Sequence, residues 1–264
     1  MSFHIPDPCL EMPDLIIPKR IPAGPVQIDH SHQLARGIKG CFVATQRNVN
    51  LANYHMLAPC SISGYTNNPT YNGGTASFAG NSILIDDIGV PPDYLWSVFT
   101  VSKNTNNSNG IVGGFGNDIS GFEREAFIIS PTAPGGVQGT WRYEQGGAGN
   151  KGDGNAQGTF GQGSGRYFSS AGVTNRNAMK LYHAGIGEPL GTATATLTDI
   201  TGNTAFLTDM NLFCVGGAID SNSIAAGFSA FNGDIDCVYV WHRALSDAEV
   251  WSLCLDPHQF LVPV

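Results

Sequence analysis

From Leu34 onward the chain is a succession of short apolar or β-branched runs, each closed by Gly, Asn, Asp or Pro. Gly40–Thr45, Ser77–Ile85, Leu95–Lys103, Glu125–Ile129, Met179–Ala184, Asn211–Val215 and Asp234–Trp241 all have this form. Runs of this length and residue type, bounded by turn formers, read as strands. So many of them in one chain point to an all-β domain, because helical bundles are built from longer runs rich in Ala, Glu, Lys and Leu. Composition agrees: charged residues make up 13% of the chain and Gly contributes 34 residues, where globular proteins average ~25% charge. In the last run Ile235, Cys237, Tyr239 and Trp241 alternate with Asp236, Val238, Val240 and His242. Both faces carry apolar groups, as in a central strand covered on both sides.

Three segments depart from this pattern. Pro6, Pro8, Pro13, Pro18, Pro22 and Pro25 crowd residues 1–30; each removes a backbone donor and fixes φ, so neither helix nor central strand can form there. The same stretch carries Leu15, Ile16, Ile17 and Ile21, more apolar surface than a solvated linker needs. It reads as an extended arm anchored through those residues along a surface, preceding a body at 31–264. Between Gly110 and Gly165 lie 17 of the 34 glycines, a density that predicts long loops around an isolated strand, Thr140–Glu144. Near the end, Ser246 and Glu249 form a capping box, with Val250, Leu253 and Cys254 as an apolar face and Pro257 as the stop. This predicts one short C-terminal helix.

The stretch Phe231–Pro257 (FNGDIDCVYVWHRALSDAEVWSLCLDP) resembles the closing segment of laminin-G-like, concanavalin A-like jelly-roll domains. Phe231, Gly233, Ile235, Val238, Val240, Arg243, Ala244, Leu245, Ser246 and Glu249 fall on that pattern, and NAMKLYHAG and LFCVGG resemble earlier strands of it. The resemblance implies a β-sandwich and a structural Arg243 whose guanidinium caps carbonyls. A second resemblance joins the arm (PDLIIPKR) to such a body and is similar to structural proteins of tailed bacteriophages. It implies a virion protein assembled in the host cytoplasm, a capsid decoration or tail or fibre component. Such a protein would be a homo-oligomer partnered with other virion proteins such as the major capsid or tail protein. The alternative is a carbohydrate-binding, lectin-like module that adheres to surface glycans.

The net charge of −8 and the absence of any Lys/Arg run argue against nucleic acid as a partner, since gripping a phosphate backbone needs a basic face. No apolar run is long enough for a membrane helix, and no basic region followed by an apolar core opens the chain, so no signal peptide is expected. With no oxidising compartment indicated, the six cysteines are expected to be free, and without a CxxC pair a thiolate zinc site is not expected. The Glu-x-Asp-x-x-Glu strand of the fold's hydrolase branch is missing. The pairs Glu123/Glu125 and Asp234/Asp236 have the spacing to share a strand face, but the first reads as an edge or solvent-facing turn and the resemblance places Asp236 in a structural strand, so no enzyme is expected. Asp29-His30-Ser31-His32 reads as a polar turn between arm and body rather than a metal pair. The jelly-roll resemblance admits calcium, with Asp86, Asp87, Asp118 and Asp153 as candidate oxygens. Trp141, Tyr143 and Tyr167, around the glycine-rich segment, are candidate glycan-binding aromatics.

Overall fold

The computed structural model describes residues 22, 24–59, 68–80, 82–92, 95–105, 110–116, 124–130, 138–145, 153–159, 167–176, 178–185, 190–196, 211–217, 219–220, 223–224 and 229–264. Of these, 59, 124–130, 138–145, 153–159, 219–220, 223–224 and 229–230 are described by backbone alone. The first strands are β1 (Val26–Ile28), β2 (Ile38–Val43), β3 (Val49–Asn50), β4 (His55–Met56), β5 (Ala58–Pro59), β6 (Thr70–Asn72), β7 (Thr75–Ala79) and β8 (Leu84–Asp87). There follow β9 (Leu95–Asn104), β10 (Gly110–Gly116), β11 (Arg124–Ser130), β12 (Gln138–Gln145), β13 (Asp153–Thr159), β14 (Phe168–Asn175), β15 (Ala178–Gly185) and β16 (Gly191–Thr196). The chain closes with β17 (Leu212–Val215), β18 (Ile219–Asp220), β19 (Ser223–Ile224), β20 (Ser229–Ala230), β21 (Asn232–Trp241), helix α1 (Asp247–Leu255) and β22 (Leu261–Pro263).

Two large sheets form a jelly-roll β-sandwich. One has eight strands in the order β13-β12-β11-β10-β17-β8-β5, with β20 beside β10. The other has ten, in the order β16-β15-β14-β9-β21-β2-β3-β4, with β7 also on β21 and β6 on β7. Between them lies a core of Phe42, Phe78, Trp96, Val98, Phe115, Phe213, Ile235, Val238 and Val240, among others, all buried. The outer face of the ten-stranded sheet is covered as well, by α1, by the β1–β22 pair and by the short helical turn Gln33–Ala35. Phe99, Tyr239 and Trp241 on that face pack against Leu34, Val250, Leu253 and Phe260. Each such aliphatic or aromatic side chain taken from water contributes about 1.5–3 kcal/mol.

The central strand is β21, paired on one side with β9 and on the other with β7 and β2. Its two covered faces agree with the alternation in the sequence, with one correction. A register shift between Ile235 and Cys237 moves Ile235 to the inter-sheet face beside Val238 and Val240, while Cys237, Tyr239 and Trp241 stay on the outer face.

Other expectations are corrected too. Ser77–Ile85 is not one strand: the chain turns at Gly80, and β7 and β8 belong to different sheets. The glycine-rich stretch holds four strands, β10 to β13: Glu125–Ile129 and Thr140–Glu144 fall in β11 and β12, while β10 and β13 occupy stretches expected as loops. In β10 glycine serves close packing; a Cβ on Gly113 would come within 3.1 Å of the Phe213 ring and 3.3 Å of the Cys214 carbonyl. Val26–Ile28, at the end of the expected arm, pairs antiparallel with Leu261–Pro263, and Pro25 accepts a hydrogen bond from the Val264 amide. Leu15, Ile16, Ile17 and Ile21, the expected arm contacts, lie outside the described residues.

The C-terminal helix forms as its capping box dictates. Ser246 Oγ accepts from the Glu249 amide (3.3 Å) and Glu249 Oε2 accepts from the Ser246 amide (2.9 Å). Among the described cysteines, Cys41 and Cys237 are free and buried, and Cys214 and Cys254 are buried; Cys9 and Cys60 lie outside the described residues.

Candidate functional site

The edge where the two sheets meet carries the exposed, chemically equipped surface. There β3 and β4 form a hairpin across Leu51–Tyr54, with Val49 opposite Met56 and Asn50 opposite His55. Asn50 holds the hairpin from beneath. Its buried Oδ1 accepts from the amides of Cys41 (3.2 Å), Ala52 (3.0 Å) and Asn53 (3.4 Å), and its Nδ2 donates to Asp86 Oδ2 at 2.6 Å. The second Asp86 oxygen, Oδ1, lies 3.7 Å from His55 Nδ1, and Asn53 Nδ2 donates to the Lys39 carbonyl. In the same hairpin Tyr54 is 62% exposed and Met56 69%.

The backbone here is strained. Four non-glycine residues among those described have positive φ, and three of them, Arg47, Asn48 and Tyr54, flank this hairpin. Each such residue costs of order 1–3 kcal/mol, and strain of this kind concentrates where a protein positions groups for use. Tyr54 at φ 57° occupies a turn position that Gly or Asn would fill without penalty. The site was not legible from the pattern of strands, because NLANYH has the composition of any turn. A tyrosine immediately after Asn53 in a tight hairpin is the one local signal that could have marked it.

The residues singled out from the sequence are placed as follows. Tyr167 is half-buried against the outer-face cluster, with Lys103 Nζ 5.8 Å from its ring centroid, so its ring has packing partners. Burial, with a smaller contribution from Asp234, raises its hydroxyl above the usual tyrosine range. Trp141 and Tyr143 are described by backbone. Register aligns them with Ile128 and Ala126 on β11, and through these with Gly113 and Phe115 on β10.

Of the calcium candidates, Asp86 is bound to Asn50, while Asp87 accepts from Asn211 Nδ2 (2.7 Å) and from the Gly89 amide (3.0 Å). Asp118, like Glu123, lies outside the described residues, and Asp153 and Glu125 are described by backbone alone. Asp234 accepts from Ser77 Oγ (2.5 Å) and pairs with Lys103, whereas Asp236 is buried against His258. The Asp234/Asp236 pair therefore has separate structural partners. In the 29–32 segment Asp29 Oδ1 accepts from the Ser31 amide and hydroxyl, which holds its carboxyl below the usual range, and His32 Nδ1 caps the Leu34 amide. That is a polar turn.

Arg243 donates Nε–H to the Arg36 carbonyl (2.6 Å) and grips Glu249 through both terminal nitrogens (3.0 and 2.8 Å). It ties the start of the body to the helix. Burial pushes the Cys41 and Cys237 thiols well above their usual range, the opposite of what a nucleophile requires.

No protein-family model and no curated protein matches the sequence. Solved structures share the fold. Domain 4 of AbnA, a GH43 extracellular arabinanase from Geobacillus stearothermophilus, in complex with arabinotriose, is 14% identical with a TM-score of 0.57. That alignment covers 82% of this chain and 98% of the other. A Trypanosoma rangeli sialidase in complex with 2,3-difluorosialic acid is 16% identical with a TM-score of 0.53, over 83% of this chain and 33% of that longer one. Both likenesses are of fold.

Proposed function

We propose that this protein is a carbohydrate-binding, lectin-like module that holds an oligosaccharide without cleaving it. The observation that carries the reading is the Tyr54–His55 edge: an exposed aromatic ring kept in a costly backbone conformation, followed by an exposed His55 whose imidazole lies 3.7 Å from the Asp86 carboxylate that Asn50 anchors. A ring face covers the C–H face of a sugar, and carboxylate, amide and imidazole groups bond its hydroxyls, each charge-assisted bond contributing about 1.5–3 kcal/mol. The AbnA domain, similar over its whole length and bound to arabinotriose, supports this reading over the virion role. Tyr54 is the aromatic platform of this reading, since its ring is exposed whereas Tyr167 is packed.

The test is a glycan array followed by calorimetric titration of the hits, with arabinotriose as one defined probe. The expected result is binding that falls at least ~10-fold in Tyr54→Ala, with intact glycan recovered after long incubation. A folded protein that binds nothing on the array, or Tyr54→Ala binding undiminished, overturns the proposal. Cleaved product would make it an enzyme.

A further inference from the structure

Residues adjacent in a strand ordinarily project to opposite faces of the sheet. The register shift in β21 suspends that rule: two residues share one position opposite β9, so Asp236 and Cys237 both project to the outer face. The segment after α1 then lays His258 across them. Its Nε2 lies 3.2 Å from Asp236 Oδ2 and its Nδ1 2.8 Å from Tyr239 Oη. Asp236, Cys237 and His258 are all buried, and their ligand atoms lie within 4.8 Å of one another. Among the described residues Asp236 Oδ1 has no hydrogen-bond partner, and Asp236 is only 4% exposed. An unpaired buried carboxylate oxygen costs about 1–3 kcal/mol or more and calls for a partner.

We propose that Asp236, Cys237 and His258 bind a zinc ion that staples the C-terminal segment to the central strand. In tetrahedral zinc sites, bonds of about 2.0–2.3 Å place the ligand atoms roughly 3.3–3.6 Å apart. The 3.2 Å between Nε2 and Oδ2 is already close to that edge length. The metal takes neutral His258 through Nε2, the Cys237 thiolate and one oxygen of the Asp236 carboxylate, with the second oxygen as a longer contact on the same side that distorts the tetrahedron. Binding releases the single thiol proton to solvent. Thiolate and carboxylate together cancel the charge of the ion, so the occupied site is electrically neutral in a dry interior where a lone carboxylate is costly. The Tyr239 hydroxyl accepts from His258 Nδ1–H and sets its tautomer, the usual outer partner of a zinc-bound histidine. One sulfur, one nitrogen and one carboxylate suit zinc and not calcium, which requires 6–8 oxygens. His258 lies three residues before β22, which pairs with β1, so the ion would also fix both ends of the body.

The site is enclosed, so the metal is offered during folding. Full-length protein is unfolded with chelator and refolded with zinc chloride, with calcium chloride or with neither, then freed of loose metal by gel filtration. One zinc per chain and a melting temperature raised by zinc alone are expected. Refolding with cobalt chloride should give a thiolate-to-cobalt charge-transfer band that persists in a Cys9→Ser/Cys60→Ser variant and vanishes in Cys237→Ser. Tyr239→Phe, which removes only the hydroxyl, should weaken zinc by about 10–100-fold. Folded wild-type protein without stoichiometric zinc, or without the cobalt band, overturns the proposal. So does Tyr239→Phe with unchanged affinity, a result obtainable even if Cys237→Ser does not fold.

Discussion

The centre and the edge of the ten-stranded sheet answer the same backbone demand with different residues. In β21 the unusual conformation falls on Gly233, φ 155°, where the chain presses against β9. At the edge hairpin it falls on Tyr54, φ 57°, with open solvent above. The large aromatics divide in the same way: Trp241 is fully buried with Nε1 donating to the Leu34 carbonyl at 2.6 Å, whereas Tyr54 is 62% exposed. At Gly233 the residue follows the local rule and serves the fold; at Tyr54 it breaks the rule at a cost in stability, which is the basis of the proposed binding role.

The largest effect is expected at the centre. A Cβ on Gly233 would stand 2.1 Å from the Lys103 carbonyl oxygen, so Gly233→Ala should yield insoluble or unfolded protein. Soluble expression and a native circular dichroism spectrum for this variant would break the comparison at its stronger end. Trp241→Ala should come next, costing ~3–5 kcal/mol in chemical denaturation through lost packing and an orphaned Leu34 carbonyl.

Arg243 and Glu249 test a link between these extremes. Burial raises the Glu249 carboxyl, but the Arg243 bonds, and those from Ser246, more than offset it and leave it below the usual range. A depressed folded-state value means stability that is fully present above the unfolded carboxylate range, about pH 4.3, and lost as pH falls through the folded value. Melting temperatures followed from roughly pH 6 to 3 should decline, and Glu249→Gln should flatten that decline. Arg243→Ala should cost ~2 kcal/mol at neutral pH, since it removes charge-assisted bonds.

The smallest effect on stability is expected at the edge, where Tyr54→Gly relieves the left-handed strain and should stabilise by about 1 kcal/mol. The same variant should lose glycan binding. If it destabilises instead, the ring is part of the packing and the distinction between centre and edge fails.

How far the sequence carries varies with the range of the interaction. The helix was legible because Ser246 and Glu249 lie three residues apart, and a capping box needs nothing else. The carbonyl-capping role of Arg243, expected from the jelly-roll resemblance, is realised on Arg36, 207 residues away in sequence. Strand β10 was not legible, because a glycine that admits the Phe213 ring looks the same in sequence as a glycine that turns a loop. Nor was β14, whose run FSSAGVTN is built from small residues that become strand only between β9 and β15.

Local pattern by itself determined the all-β class, most of the longer strands, the double-faced central strand and the terminal helix, since alternation, turn formers and capping act within a few residues. Tertiary structure alone decided which face each side chain took at Ile235, Asp236 and Cys237, because one inserted residue in the pairing with β9 flips every position beyond it. It also decided that Asn50 meets Asp86 across 36 positions and that His258 meets Asp236 across 22. Such meetings depend on strand order and register, which no spacing in the sequence encodes.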